Sequence, residues 1–180
     1  MCGNLRRLAT DFHAYVTPQI QRNEIKDWWA KRGPVKGGDI NDSFFGRGRF
    51  FEHLARITKF KSWNWTMDIG KTFKAIDFYK RVGTKKLVGS LKTTKSSPTE
   101  WINYNKKHLE ALVEGANASQ FTDAGRRIDA DEVWLFIAVP KDNLGDWTNF
   151  ASTTLKNSGI ANIGKIKVEV FSMDKALGIQ

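Results

Sequence analysis

Asp77 lies in the run Thr72 to Tyr79, and Ser90 and Lys92 lie in Lys86 to Thr93. Both runs are short and rich in β-branched or aromatic residues, and the turn signal Val82-Gly83 stands between them, which predicts neighbouring strands. Side chains alternate along a strand. Asp77 therefore shares a face with Phe73, Ala75 and Tyr79, and Ser90 and Lys92 share one with Val88. Pairing through Val82-Gly83-Thr84 would bring the acid and the lysine to one side of a sheet, where a preceding helix can supply Glu52. Two carboxylates a few ångströms apart repel each other. A divalent cation relieves that repulsion, and it polarises a phosphoryl oxygen or activates water. A lysine alongside holds the water or neutralises charge growing on a phosphate.

Each residue also has a plainer reading. Glu52 fits an ordinary helix-surface acid paired with Arg56 at i,i+4. Asp77 fits a simple ion pair with Lys92 or Lys74, although an acid within Ala75-Ile76-Asp77-Phe78-Tyr79 is a poor strand former and costly if buried unpaired. Ser90 and Lys92 fit the solvent face of an edge strand.

The elements that would position these residues follow from periodicity. Leu5, Leu8, Phe12 and Tyr15 predict a helix over Leu5 to Val16, which Pro18 stops. A second helix is expected from Gln19 to Arg32, ending in the breaker stretch Gly33-Pro34-Val35-Lys36-Gly37-Gly38, the best candidate linker. A third spans Ser43 to Phe60, with Phe44, Phe51, Leu54, Ala55 and Thr58 as its apolar stripe and Glu52 on the shoulder. The period then changes to that of strands: Ser62 to Met67, Thr72 to Tyr79 and Lys86 to Thr93. A long helix opens at Ser97 or Pro98, with Trp101, Asn105, His108, Leu112 and Ala116 on its inner face. Glu132 to Val139 reads as a central strand buried on both faces. A helix over Asn143 to Lys156 and a strand over Ile166 to Phe171, with Val168 and Val170 on one face, complete the order.

The chain has 180 residues and a net charge of +10, enough length for one ordinary core. No apolar run is long enough to span a membrane. Met1 to Ala14 lacks the apolar core and cleavage site of a secretion signal, so export is expected to depend on a larger parent protein. Cys2, the single cysteine, excludes an internal disulfide and a thiolate-bound metal. Residues 47 to 95 hold thirteen Lys or Arg against three acids, which accounts for the whole net charge. Such a block is the electrostatic footprint of a polyanion binder, and equally of a solvated surface. Interleaved aromatics (Phe50, Phe51, Phe60, Trp63, Trp65, Phe73, Phe78, Tyr79) either stack on bases or fill the core.

Asp77, then Ser90-Leu91-Lys92-Thr93-Thr94, a long helix, and Val133-Trp134-Leu135-Phe136-Ile137-Ala138-Val139-Pro140 resemble the C-terminal toxin domains of contact-dependent growth inhibition proteins (CdiA C-terminal toxins). More narrowly, they resemble the zinc-dependent DNases among them, whose third motif reads Ser-x-Lys in place of Glu-x-Lys. The likeness covers Gly46 to Ser172, including Trp147. It implies an α/β fold of the PD-(D/E)xK, restriction-endonuclease-like kind, with a mixed central sheet flanked by helices. Residues 41–180 would form the nuclease, and 1–40 an N-terminal helical segment left over from an entry domain. The resemblance makes Glu52, Asp77, Ser90 and Lys92 catalytic, with Glu52, Asp77 and Ser90 holding a divalent metal: Zn²⁺ by likeness, Mg²⁺ or Mn²⁺ as alternatives. It further implies a toxin delivered from the cell surface by a larger protein, acting in the target-cell cytoplasm and silenced by a cognate immunity protein. An acidic inhibitor suits the basic block, and strand addition to a sheet edge is the alternative.

Lys80, Arg81, Lys85, Lys86 and Lys95 are the expected phosphate contacts. The resemblance favours DNA as substrate, because the toxins it points to are DNases. A tRNA- or RNA-cleaving toxin of the same fold remains the alternative. A non-catalytic nucleic-acid-binding domain and a protein-interaction module are the competing classes, separated from a nuclease by metal dependence and by the salt slope of binding.

Overall fold

The computed structural model describes residues 51–176 except 53, 54, 57, 70–72 and 74. The expected helices over 5–16 and 19–32, the linker at 33–38, the division at residue 40 and the first part of the third helix lie outside the described residues.

A five-stranded mixed sheet organises the chain, in the order β1 (Asn64–Trp65), β2 (Phe78–Val82), β3 (Lys85–Thr93), β6 (Glu132–Val139), β7 (Ile166–Ser172). The first three strands are antiparallel and the last three parallel. Strands β2 and β3 form a hairpin in which Val82 pairs with Lys85. Gly83 takes the positive φ of 60° that the tight turn needs. Because β6 has a parallel partner on each side and both faces covered, it reads as a continuous apolar run.

The crossover from β3 to β6 is built on α1 (Pro98–Ala118). Its start is encoded locally: Ser97 accepts from the Glu100 amide, Glu100 reaches back to the Ser97 amide, and Pro98 stands in the first turn. Trp101, Ile102, Leu109, Leu112 and Val113 bury the helix against Val88, Val133, Leu135 and Ile137, giving the larger core. Phe78 of β2 and the alternate residues of β3 and β6, Leu91, Phe136 and Ala138, form a second core on the other face with Phe51, Ala55 and Phe60. There Phe60 stacks on Phe78 with ring centroids 4.9 Å apart.

Several expectations are corrected. The run expected as a strand over Ser62 to Met67 is a strand only at Asn64–Trp65 and passes into a 3-10 turn over Thr66–Asp68. The strand expected over Thr72 to Tyr79 begins only at Phe78 and runs on to Val82. The backbone leaves strand geometry around Asp77, whose carbonyl accepts from the Thr66 amide and hydroxyl. The segment expected as a helix from Asn143 to Lys156 is a chain of short turns: a 3-10 stretch over Lys141–Trp147, a π turn over Phe150–Thr154 and a 3-10 turn over Lys156–Ser158. Of the apolar residues expected to line that helix, Trp147, Phe150 and Leu155 are buried, whereas Leu144 and Ala151 are exposed. A second hairpin, β4 (Gln120–Asp123) with β5 (Arg126–Asp129), was not foreseen; it turns at Ala124 and Gly125, both at positive φ. A four-residue helix, α2 (Met173–Ala176), follows β7. No helix among the described residues is long and apolar enough to cross a membrane.

Candidate active site

Strand alternation puts Ser90 and Lys92 on the α1 side of the sheet with Val88, and Leu91 on the other. Beyond the pair Phe78↔Gly89, β3 has no β2 residue opposite it. The Asp77 carboxylate fills that place. Its Oδ2 accepts the Leu91 amide at 2.7 Å and stands 3.2 Å from Ser90 Oγ and 3.4 Å from Lys92 Nζ. A strand ladder is thus finished by a side chain, and the acid that breaks β2 is the group that completes β3.

From the helix side, His108 Nε2 lies 3.0 Å from Ser90 Oγ. Burial pushes the His108 imidazole down to about 4, with the Lys92 ammonium acting in the same direction and the Asp77 carboxylate opposing it. The ring is therefore neutral at physiological pH. Ser90 is 0% exposed, whereas the side chains of Asp77 and Lys92 are 20% and 26% exposed. The acid and the amine reach solvent, and the hydroxyl behind them does not.

The structure brings three of the four expected residues together, Asp77, Ser90 and Lys92. Glu52 is half-buried in the helical turn that places Phe51 and Ala55 in the core on the opposite face of the sheet. The hydrogen-bonded group on the α1 side consists of Asp77, Ser90, Lys92, His108 and the Leu91 amide. His108 was read from the sequence only as part of the helix's inner face. A titratable ring on the inner face of the helix, beside a strand carrying Ser90 and Lys92, is the signal for it.

Serine, histidine and aspartate in contact also suggest a nucleophilic triad. The order is wrong for one: the acid of a triad holds the imidazole, which activates an accessible serine. Here both Asp77 and His108 contact the serine itself, and that serine is fully buried.

Among the described residues, no three His, Cys, Asp or Glu side chains stand together as a metal-binding group. A catalytic zinc site takes three protein ligands, and the described residues do not assemble them. The partly exposed Asp77 carboxylate, whose hydrogen bonds among the described residues fall on Oδ2, is a group that could hold a hard cation with water completing the shell.

The expected phosphate contacts have mixed surroundings. Lys85 pairs with Glu132 at 2.9 Å and Lys86 with Asp129 at 2.7 Å, while Lys167 pairs with Glu132 at 2.8 Å. Hydrogen bonds from Lys167 and Lys85 hold the Glu132 carboxyl down to about 2. Lys80 lies over the Trp63 ring, 4.5 Å from its centroid, and Arg81 is exposed. Lys95, two residues beyond β3, is half-buried.

No family model and no curated protein matches the chain. Among solved structures, a CdiA-CT/CdiI toxin and immunity complex from Yersinia pseudotuberculosis is similar to it at 17% identity and a TM-score of 0.32, over 61% of this chain and 98% of that one.

Proposed function

We propose that the chain is a metal-dependent endonuclease of the PD-(D/E)xK type, acting as a toxin in competition between bacteria and hydrolysing DNA in preference to RNA. The observation that carries this reading is the pairing of the Asp77 carboxylate and the Lys92 ammonium, 3.4 Å apart and partly exposed, on one side of a sheet whose hydrogen bonds hold the acid in place. When bound, a divalent cation supplies positive charge to the phosphoryl oxygen and lowers the pKa of water.

Asp77 is the residue that would hold the cation. Lys92 neutralises charge on the phosphate as it grows in the transition state, and the ammonium protons not directed at Asp77 orient water for attack. Ser90 and the Leu91 amide keep the carboxylate from turning. The basic surface around the β2–β3 hairpin attracts the polyanion and sets its register without reading bases. Delivery by a larger protein and silencing by an acidic cognate partner belong to the same reading and rest on the sequence resemblance.

Incubation of the purified chain with supercoiled plasmid and with total tRNA, each with Mg²⁺, Mn²⁺, Zn²⁺ or chelator, tests it. Metal-dependent nicking of plasmid is expected. Cleavage of tRNA alone would move the substrate to RNA, and binding without cleavage under every metal would replace the enzyme with a nucleic-acid-binding domain.

A further inference from the structure

We propose that His108 is a positioning residue of this site: its Nε2–H directs the Ser90 hydroxyl onto Asp77 Oδ2, committing that oxygen to the protein and leaving Oδ1 as the atom offered to a cation or substrate. The proposal rests on the nuclease reading only for the reaction that the carboxylate serves.

The argument is a count of protons. Ser90 Oγ lies 3.0 Å from His108 Nε2 and 3.2 Å from Asp77 Oδ2, and a hydroxyl has one proton to give. If that proton went to the imidazole, a hydroxyl lone pair and a carboxylate oxygen would face each other at 3.2 Å with nothing between them. With Ser90 wholly buried, water would not relieve that contact. If the proton goes to Asp77, Nε2 carries its own hydrogen and donates to Oγ, and each contact then holds one hydrogen. The chain runs Nε2–H to Oγ, then Oγ–H to Oδ2. An imidazolium would give the same direction, so the arrangement depends on no titration.

The consequence falls on the carboxylate. The Ser90 hydroxyl and the Leu91 amide both donate to Oδ2, and the Lys92 ammonium lies against the same atom. Every hydrogen bond of this carboxylate among the described residues ends on Oδ2. Those donors anchor the group at one oxygen, and α1 thereby helps to set the aim of the residue that precedes β2. A site held this way by packed elements keeps the geometry that catalysis needs.

Two measurements on the full chain test this. Nitrogen-15 NMR of the histidine rings should show His108 as the Nε2–H tautomer; a ring protonated on Nδ1 alone would overturn the proposal whether or not the protein cleaves nucleic acid. In cleavage assays, His108→Leu removes the donor and should lower kcat by ~10- to 100-fold with KM little changed, the scale of one charge-linked hydrogen bond. His108→Gln, which returns an N–H near the same place, should recover the rate to within ~3-fold of wild type. In a Ser90→Ala background His108→Leu should cost nothing more. Equal rates for the Leu and Gln variants, or full additivity with Ser90→Ala, would overturn it. If the wild-type chain cleaves neither DNA nor RNA, the nuclease reading fails by itself, and if His108→Leu does not fold, the NMR result decides the positioning.

Discussion

The Leu91 amide donates to Asp77 Oδ2 at 2.7 Å, just beyond the last residue pair between β2 and β3. One hydrogen bond therefore closes the β3 ladder and also orients the partly exposed carboxylate on which the proposed chemistry depends. Removing it strips a partner from a backbone amide and from a buried hydroxyl, each worth roughly 1–3 kcal/mol when left unsatisfied.

Asp77→Ala is accordingly expected to lose both activity and stability, which makes Asp77→Asn the cleaner probe. The amide retains one oxygen for Leu91 while losing the charge that would hold a cation. Asp77→Asn and Lys92→Met should each reduce plasmid cleavage by at least ~10²-fold. Circular dichroism should show both still folded, and near-normal cleavage by either folded variant would remove this pair from the mechanism.

His108 predicts a pH dependence of stability. Its folded-state value of about 4 lies below the ordinary 6.5, so between those limits the unfolded chain binds a proton that the folded chain refuses. Stability is then complete above pH 6.5 and falls as the pH drops toward 4, by about 3 kcal/mol in all. Urea midpoints at pH 7 and pH 4.5 should separate for wild type by more than for His108→Gln. The same separation in both would assign the acid sensitivity to other groups.

Gly115 tests the packing of α1 on the second hairpin. A Cβ there would overlap the Phe121 ring of β4, so the ring or the hairpin that carries it must shift. Gly115→Ala, helix-favouring on an exposed surface, should instead destabilise by ~1–3 kcal/mol through overpacking. A higher melting temperature for this variant would show that the hairpin can shift freely.

The basic block should act through phosphates, and its members should not act alike. Arg81, exposed on β2, should weaken DNA binding when reversed to glutamate and reduce the salt slope by about one. Lys85 and Lys86 are already paired with Glu132 and Asp129, so reversing them sets acid against acid and should also lower stability. Binding isotherms over a salt series, beside melting curves, would distinguish the two effects. A flat salt dependence in wild type would favour a protein partner over a nucleic acid.

How much of this was legible beforehand follows from which signals are local. The α1 start was readable at Ser97-Pro98-Thr99-Glu100 because a capping box closes within four residues. β6 was readable because a strand covered on both faces has no polar alternation to confuse it. The face shared by Ser90 and Lys92 follows from the two-residue period of β3 alone. The end of β2 did not follow: Asp77 sits in an apolar run that continues the strand pattern, and only the Leu91 amide across the sheet shows that the carboxylate has replaced a strand pair. The irregular turns over 141–158 carry apolar residues at helix-like spacing in the sequence, so periodicity could not tell them from a helix. The place of His108 needed tertiary structure most. Its contact with Ser90 spans 18 residues and depends on how deeply α1 settles on the sheet, a distance set by the packing of Trp101, Leu109 and Leu112 against β3 and β6 and not by any local pattern.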